Sequence, residues 1–349
     1  MQARTGPATL FFLTMPPLMW ASNAVVGRLS VAGGEPLVSP LLFNALRWAA
    51  ALAVLGLLAL PQALAGRGAT APAGVGASLP AGGAADGAGG GLGAAPARRD
   101  SGRWAPWRAY ALLGLLSVAS YNALQYLALR TASAINVTLI AASGPVWMLL
   151  LGRAVFGERA TAAAWAGAAL SLAGVLVVLT GGDAARLAGL RLERGDLLML
   201  AATVCWSLYS WVLRRRRPDA PARTFMLMQT AWGLLLTSPL VVGEWAAGAL
   251  VLRPEWRTAA VVAWVALGPS LLAYWCWDRG VARAGAMLPS FFANLTPLFA
   301  ALMSAALLAE PPRAHHAAAF ALLAGGIWLS TRVPGRGASG PGRPARPRR

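Results

Sequence analysis

Apolar residues fill ten stretches of this chain, each close to the ~20 residues a helix needs to cross a lipid hydrocarbon core. They fall at about 8–29, 38–60, 107–129, 133–155, 160–180, 195–213, 223–243, 258–278, 284–309 and 314–331. Polar and glycine-rich turns separate them, among them Gly33-Gly34, Gly181-Gly182-Asp183 and Arg217-Pro218-Asp219. Only helices and closed barrels satisfy their own backbone in lipid, and continuous apolar runs of this length indicate helices. The pattern therefore predicts an all-α integral membrane protein with ten transmembrane helices. The first stretch, from Leu10 to Trp20 behind Arg4, has some look of a signal peptide. Pro16 and Pro17 interrupt it and many further spans come after it, so it is expected to stay as the first span.

Two segments stand apart. Residues 62–103 are rich in Gly and Ala with scattered Pro, and residues 332–349 are rich in Gly, Pro and Arg. Neither can bury enough apolar side chain to fold, so both are expected to be disordered and cytoplasmic.

Composition agrees with lipid. The chain has 349 residues, 57% apolar and only 12% charged, with a mean hydropathy of +0.58; a soluble domain carries roughly 25% charged residues. The net charge of +18 rests on 30 basic residues, all of them arginine. These sit between apolar stretches rather than along one face, which argues against nucleic-acid binding. Their distribution instead gives orientation. Of the 30, Arg47 lies inside a span, 21 fall on the side of the N-terminus and eight on the other. Cytoplasmic loops carry the arginine excess, so both termini are expected in the cytoplasm, in a bacterial inner membrane. By the same rule Arg214 to Arg217 read as a topology anchor. Cys205 and Cys276 fall inside apolar stretches without metal-ligand spacing, so neither a metal site nor a cofactor is expected.

The chain also repeats itself. A shift of 152 positions carries Pro145 onto Pro297, Glu158 onto Glu310 and Gly174 onto Gly326. Each half has a Pro followed thirteen residues later by a Glu. The early part obeys another shift, with Trp20 meeting Trp206 at 186, and the difference of 34 is about the excess length of the Gly/Ala segment. The expected plan is a first repeat of 1–61 and 104–182, interrupted by the 62–103 insert, then a second repeat of 183–331 and a 332–349 tail. Five spans per unit is odd, so the repeats must be inverted. That plan recurs in secondary transporters, with the substrate held where the repeats meet.

The segments "WASNAVVGR", "SPLLFNALRW", "ALQYLALRTASAINVTLIAASGPVWMLLLGRAVFGERAT" and "FFANLTPLFAALMSAALLAEPP" resemble the EamA-type branch of the drug/metabolite transporter superfamily. The resemblance covers nearly the whole chain outside the insert and tail, and the doubled Pro-then-Glu pattern is its most specific part. It implies ten helices as two inverted five-helix repeats, and export or exchange of small metabolites such as amino acids.

Arg47 is the sharpest candidate residue, because a charge near mid-membrane must face a cavity, a partner or a substrate. It reads either as an anchor for a carboxylate or phosphate, or as a helix tie to backbone carbonyls or Asn44. Trp20, Asn23, Asn122, Tyr126, Trp206, Tyr209, Tyr274 and Asn294 lie at similar depth. As a group they suit a pocket with apolar walls and a few oriented hydrogen bonds; singly, each also reads as a helix-packing or interfacial residue. Pro145, Pro297, Glu158 and Glu310 read as structural marks of the repeat. No acid falls squarely at mid-membrane; Asp278, toward the inner end of the eighth span, comes nearest to a coupling site. Adjacent His315 and His316 are given no role.

Other classes fit less well. Ser143 has no intramembrane His or Lys to activate it, which leaves no catalytic residue. No GxxxxGK[ST] loop is present for ATP. A nucleotide-sugar or organic-phosphate carrier, and a lipid-handling or structural protein, remain as alternatives. The expected partners are a small-molecule substrate and the bilayer, with a homodimer compatible with the many small residues.

Overall fold

The computed structural model describes residues 6–30, 37–67, 105–183, 185–189, 191–308 and 314–332. Most of the 62–103 insert, all but the first residue of the tail, and Glu310 lie outside these residues. The described chain is helical: α1 Pro7–Ser30, α2 Pro40–Arg67, α3 Pro106–Ala128, α4 Ala134–Ala142, α5 Gly144–Ala154, α6 Ala162–Thr180, a short α7 Ala185–Ala188, α8 Arg194–Arg216, α9 Ala222–Ala246, α10 Trp256–Ala284, α11 Met287–Ala293, α12 Thr296–Leu308 and α13 Ala314–Thr331. Six of them are long and apolar enough to cross a membrane, and the α4–α5 pair, bent by 41°, makes a seventh. Among the described residues the extended structure is one antiparallel bridge, Val38 to Leu252.

Local chemistry accounts for the helix ends. Proline opens α1, α2 and α3, where its missing N–H would have no partner anyway. Ser133 and Thr161 cap α4 and α6 by accepting from the backbone N–H of Asn136 and Ala164, both at 3.1 Å. Glu193 and Asp196 form a reciprocal capping box at the start of α8. Gly181 closes α6 at φ +67°, a left-handed conformation that favours glycine.

Two departures from the sequence reading concern length and shape. Helix α2 runs on to Arg67, so the Gly/Ala segment begins as helix, and α10 runs six residues beyond the expected 278. Helices α3 and α10 each contain a π-helical turn, Leu115–Tyr121 and Ala266–Leu272. Residues 121 and 272 close these turns at positions one residue short of the 152 shift.

Leu57, Leu235, Val242 and Phe320 point outward and are largely exposed, as suits faces turned to lipid. Small residues let the buried faces close up. A Cβ on Gly326 would stand 2.7 Å from the Gly167 carbonyl oxygen, and one on Gly167 would stand 2.7 Å from that of Gly326. Helices α6 and α13 thus touch through backbone. Gly326→Val is expected to force them apart at a cost of about 1–3 kcal/mol, read as a lower thermal unfolding midpoint in detergent; an unchanged midpoint would contradict the tight seam.

Candidate functional site

Arg47, toward the start of α2, is buried at 2% exposure. Its Nε donates to Ser270 Oγ at 2.9 Å, and its Nη1 donates to Tyr126 OH at 2.7 Å and Asn122 Oδ1 at 3.2 Å. The guanidinium also lies 5.2 Å from the Trp48 ring centroid. These partners are neutral. Asn44, one of the local partners considered, instead donates to the Val118 carbonyl at 3.2 Å, because its side chain meets α3 rather than its own helix.

The π-turns explain how these partners arrive. Ser270 sits within the turn of α10, with its Oγ donating to the Val265 carbonyl five residues back. Asn122 comes directly after the turn of α3, and its Nδ2 donates to Ser117 O at 3.2 Å and to Tyr274 OH at 3.0 Å. A π-turn adds a residue to the helical circuit and so re-aims the side chains on its C-terminal side. Both turns direct polar side chains at one point.

Beside this network lies an aromatic cluster. The Trp206 ring has five others at centroid distances of 4.9–5.4 Å: Trp20, Tyr121, Tyr209, Tyr274 and Trp277. Trp20 Nε1 donates to the Pro269 carbonyl, inside the α10 π-turn, at 3.2 Å. Tyr209 OH accepts from Gln229 Nε2 at 3.2 Å. The structure thus gathers Arg47, Trp20, Asn122, Tyr126, Trp206, Tyr209 and Tyr274. Asn23 is half-buried, with an Oδ1 that has no hydrogen-bond partner, and no hydrogen bond or ring contact among the described residues joins it to the group.

Asn294 belongs elsewhere. At the break between α11 and α12, its Nδ2 donates to the Ala142 carbonyl at 3.0 Å and to Ser171 Oγ at 2.9 Å, tying that break to the end of α4. Pro145 and Pro297 stand in the first turns of α5 and α12, immediately after the two breaks. Glu158 pairs with Arg215 Nη2 at 2.6 Å on a partly exposed end of the molecule. The rings of His315 and His316 do converge, with Nε2 atoms 3.1 Å apart. Among the described residues no three His, Cys, Asp or Glu gather as metal ligands.

Sequence reasoning passes over several contributors. Ser270 and Ser117 carry no signal of their own, while Gln229 is visible as an amide inside an apolar span. Asp278, at the rim of its span in the sequence reading, is in fact 2% exposed. Arg217 Nη2 approaches its Oδ2 at 3.0 Å, yet neither carboxylate oxygen receives an aligned hydrogen bond. It lines a small cavity with Trp48, Tyr209, Phe225, Met226, Gln229, Thr230 and Tyr274. Oriented donors and ring faces are equipment for binding a solute.

Residues 91–180 and 193–332, more than half of the chain, match the EamA-like transporter family. The chain is 27% identical over 208 residues to the uncharacterized transporter YyaM of Bacillus subtilis, a match covering 56% of this chain and 64% of that protein. It is 29% identical over 232 residues to the aromatic amino acid exporter YddG of Ancylobacter novellus, covering 65% of this chain and 76% of that one. A solved crystal structure superposes with a TM-score of 0.64 at 23% identity, over 93% of this chain and 96% of the other.

Proposed function

Because the chain belongs to the EamA-like transporter family, we propose that it exports or exchanges a small metabolite, an amino acid or related solute, by alternating access. The observation that carries this reading is the Trp206 cluster. Rings from α1, α3, α8 and α10 meet there, and two of them, Tyr274 and Tyr209, are held by the side-chain amides of Asn122 and Gln229, as suits an apolar cargo with a polar head. The 29% identity to an aromatic amino acid exporter points to the same cargo class.

The proposed architecture is ten transmembrane helices as two inverted repeats, the α4–α5 and α11–α12 pairs each making one broken span. The first repeat comprises 1–61 and 104–182 around the 62–103 insert, the second 183–331, and 332–349 is the tail. Several observations support it. Asn122 donates to Tyr274 and Asn294 to Ala142, each pair separated by the 152 shift, and Trp20 packs on Trp206 at the 186 shift. The two π-turns, and the helix breaks at 143 and 294–295, also fall within a residue of matched places. Matched positions that touch each other are what a pseudo-two-fold axis produces. The arginine distribution supports cytoplasmic termini in an inner membrane.

Within this reading Arg47, Trp20, Asn122, Tyr126, Trp206, Tyr209 and Tyr274 line or brace the path. The test is counterflow of labelled amino acids in vesicles containing the purified chain. Saturable exchange is expected, with Trp206→Ala raising KM roughly tenfold, the scale of one buried aromatic contact. No saturable flux from folded protein, for any pool of amino acids, amines or organic phosphates, would overturn the reading.

A further inference from the structure

Four buried polar atoms without a hydrogen-bond partner lie on residues that line one small cavity: Asp278 Oδ1 and Oδ2, Gln229 Oε1 and Trp48 Nε1. Buried polar atoms are normally paired, and each exception asks for an explanation. The residues are not loosely held. Asp278 is 2% and Gln229 4% exposed. Gln229 commits its amide nitrogen to Ser117 Oγ and Tyr209 OH, both at 3.2 Å, which leaves its Oε1 without a donor.

We propose that this cavity is a binding site for a protonated amine, with Asp278 and Gln229 accepting from the ammonium group and Arg217 acting as its displaceable stand-in. Three of the four orphan atoms are acceptors, and a primary ammonium presents three N–H donors. The walls include Trp48, Tyr209, Phe225 and Tyr274; ring faces stabilise an organic cation but give a metal ion no ligand. The volume, about 10 Å³, has room for one water-sized group, which is the size of an ammonium head. The carbon body of the ligand must then enter as the helices part.

Arg217 shows that a cation is already accommodated here. Its Nη2 lies 3.0 Å from Asp278 Oδ2 without hydrogen-bond alignment, and its guanidinium lies 4.6 Å from the Phe225 ring centroid. It stands just beyond the end of α8 with its side chain 23% exposed, so it can withdraw toward solvent. An amine that replaces it gains the aligned hydrogen bonds that Arg217 does not make. Tyr274 joins this site to the other, since Asp278 lies one helical turn beyond it on α10 and its OH accepts from Asn122. As a cargo site the cavity rests on the transport reading; as a binding site it can be measured without it.

The test uses the full chain in detergent at neutral pH, with phenethylammonium as probe and 3-phenylpropionate as the ring-matched anion, read by titration calorimetry alongside thermal unfolding. Phenethylammonium is expected to bind and the anion not to. Asp278→Asn should weaken binding roughly tenfold or more, as loss of a buried charge partner does. Arg217→Gln should strengthen it, by removing the internal competitor. If Asp278→Asn does not fold, Gln229→Leu, which keeps the carboxylate, should weaken binding by a smaller factor. The inference is overturned by absence of amine binding to both the unaltered chain and Arg217→Gln. It is equally overturned by unchanged affinity in the folded Asp278 or Gln229 variant, or by weakening in Arg217→Gln, which would make the ion pair purely structural. Saturable flux of other solutes without amine binding removes this site and leaves transport standing; amine binding without flux of any pool does the reverse.

Discussion

Arg47→Ala is expected to eliminate saturable flux and to lower the unfolding midpoint together, because this side chain braces three helices. It holds α2 to α3 through Asn122 and Tyr126 and to α10 through Ser270. A hydrogen bond to a charged group contributes about 1.5–3 kcal/mol. Losing three, with some recovery by relaxation, should cost about 3 kcal/mol or more. A substrate anchor would behave differently. The anchor and brace roles separate in Arg47→Lys, which keeps the charge and loses the fork. With its Nε and Nη1 already engaged, the geometry favours the brace. Arg47→Lys should therefore unfold earlier than the unaltered chain and lose flux in parallel. A raised KM at an unchanged unfolding midpoint would assign Arg47 to the cargo instead.

Glu244→Ala is expected to open the end of the molecule where α2 begins. Glu244, near the end of α9 and 5% exposed, accepts from Ser39 Oγ at 2.8 Å, Leu42 N at 3.0 Å and Leu41 N at 3.4 Å. A helix start leaves its first N–H groups without intrahelical partners. Here a carboxylate from another helix supplies them, at the positive end of the helix dipole. The Val38–Leu252 bridge reinforces the same closure, with Ser39 N donating to Val251 O and Arg253 N to Leu37 O, both at 2.9 Å. Removing the carboxylate should cost roughly 2 kcal/mol, the upper range for a lost helix cap. It should also speed maleimide labelling, in vesicles, of a Leu42→Cys probe, which keeps the backbone N–H that Glu244 accepts from. An unchanged labelling rate would show that the seal does not depend on Glu244.

The helical spans are legible because lipid leaves so few alternatives: a segment that must satisfy its own backbone and face hydrocarbon announces itself in composition. The π-turns are not legible, since nothing in "LLSVASY" or "ALGPSLL" distinguishes a helix with one extra residue per circuit. Without them, sequence alone offers Arg47 a substrate, backbone carbonyls or Asn44, and none of its distant partners. A local neighbour, Asn44, looks plausible, whereas the true partners lie 75, 79 and 223 residues away. Asp278 looks peripheral because hydropathy ends the eighth span there. The helix continues to Ala284, which puts the carboxylate inside the packed region instead of at its rim. Asn294 groups with the path on depth alone, and depth cannot tell a hydrogen bond that joins helices from one that awaits a solute.

Under the inverted-repeat reading, the matched pairs that touch have a consequence for how such a protein can be encoded. A symmetric pair of separate five-helix chains would place the same residue twice at an axial position, two asparagines or two tyrosines. Trp20 against Trp206 is a contact that such an assembly could make. Asn122 donating to the Tyr274 hydroxyl is not. That hydrogen bond requires different residues on the two sides, which two copies of one chain cannot supply and tandem copies within one gene can. Joining the halves thus permits a directional polar link at the one place where symmetry would otherwise impose identity.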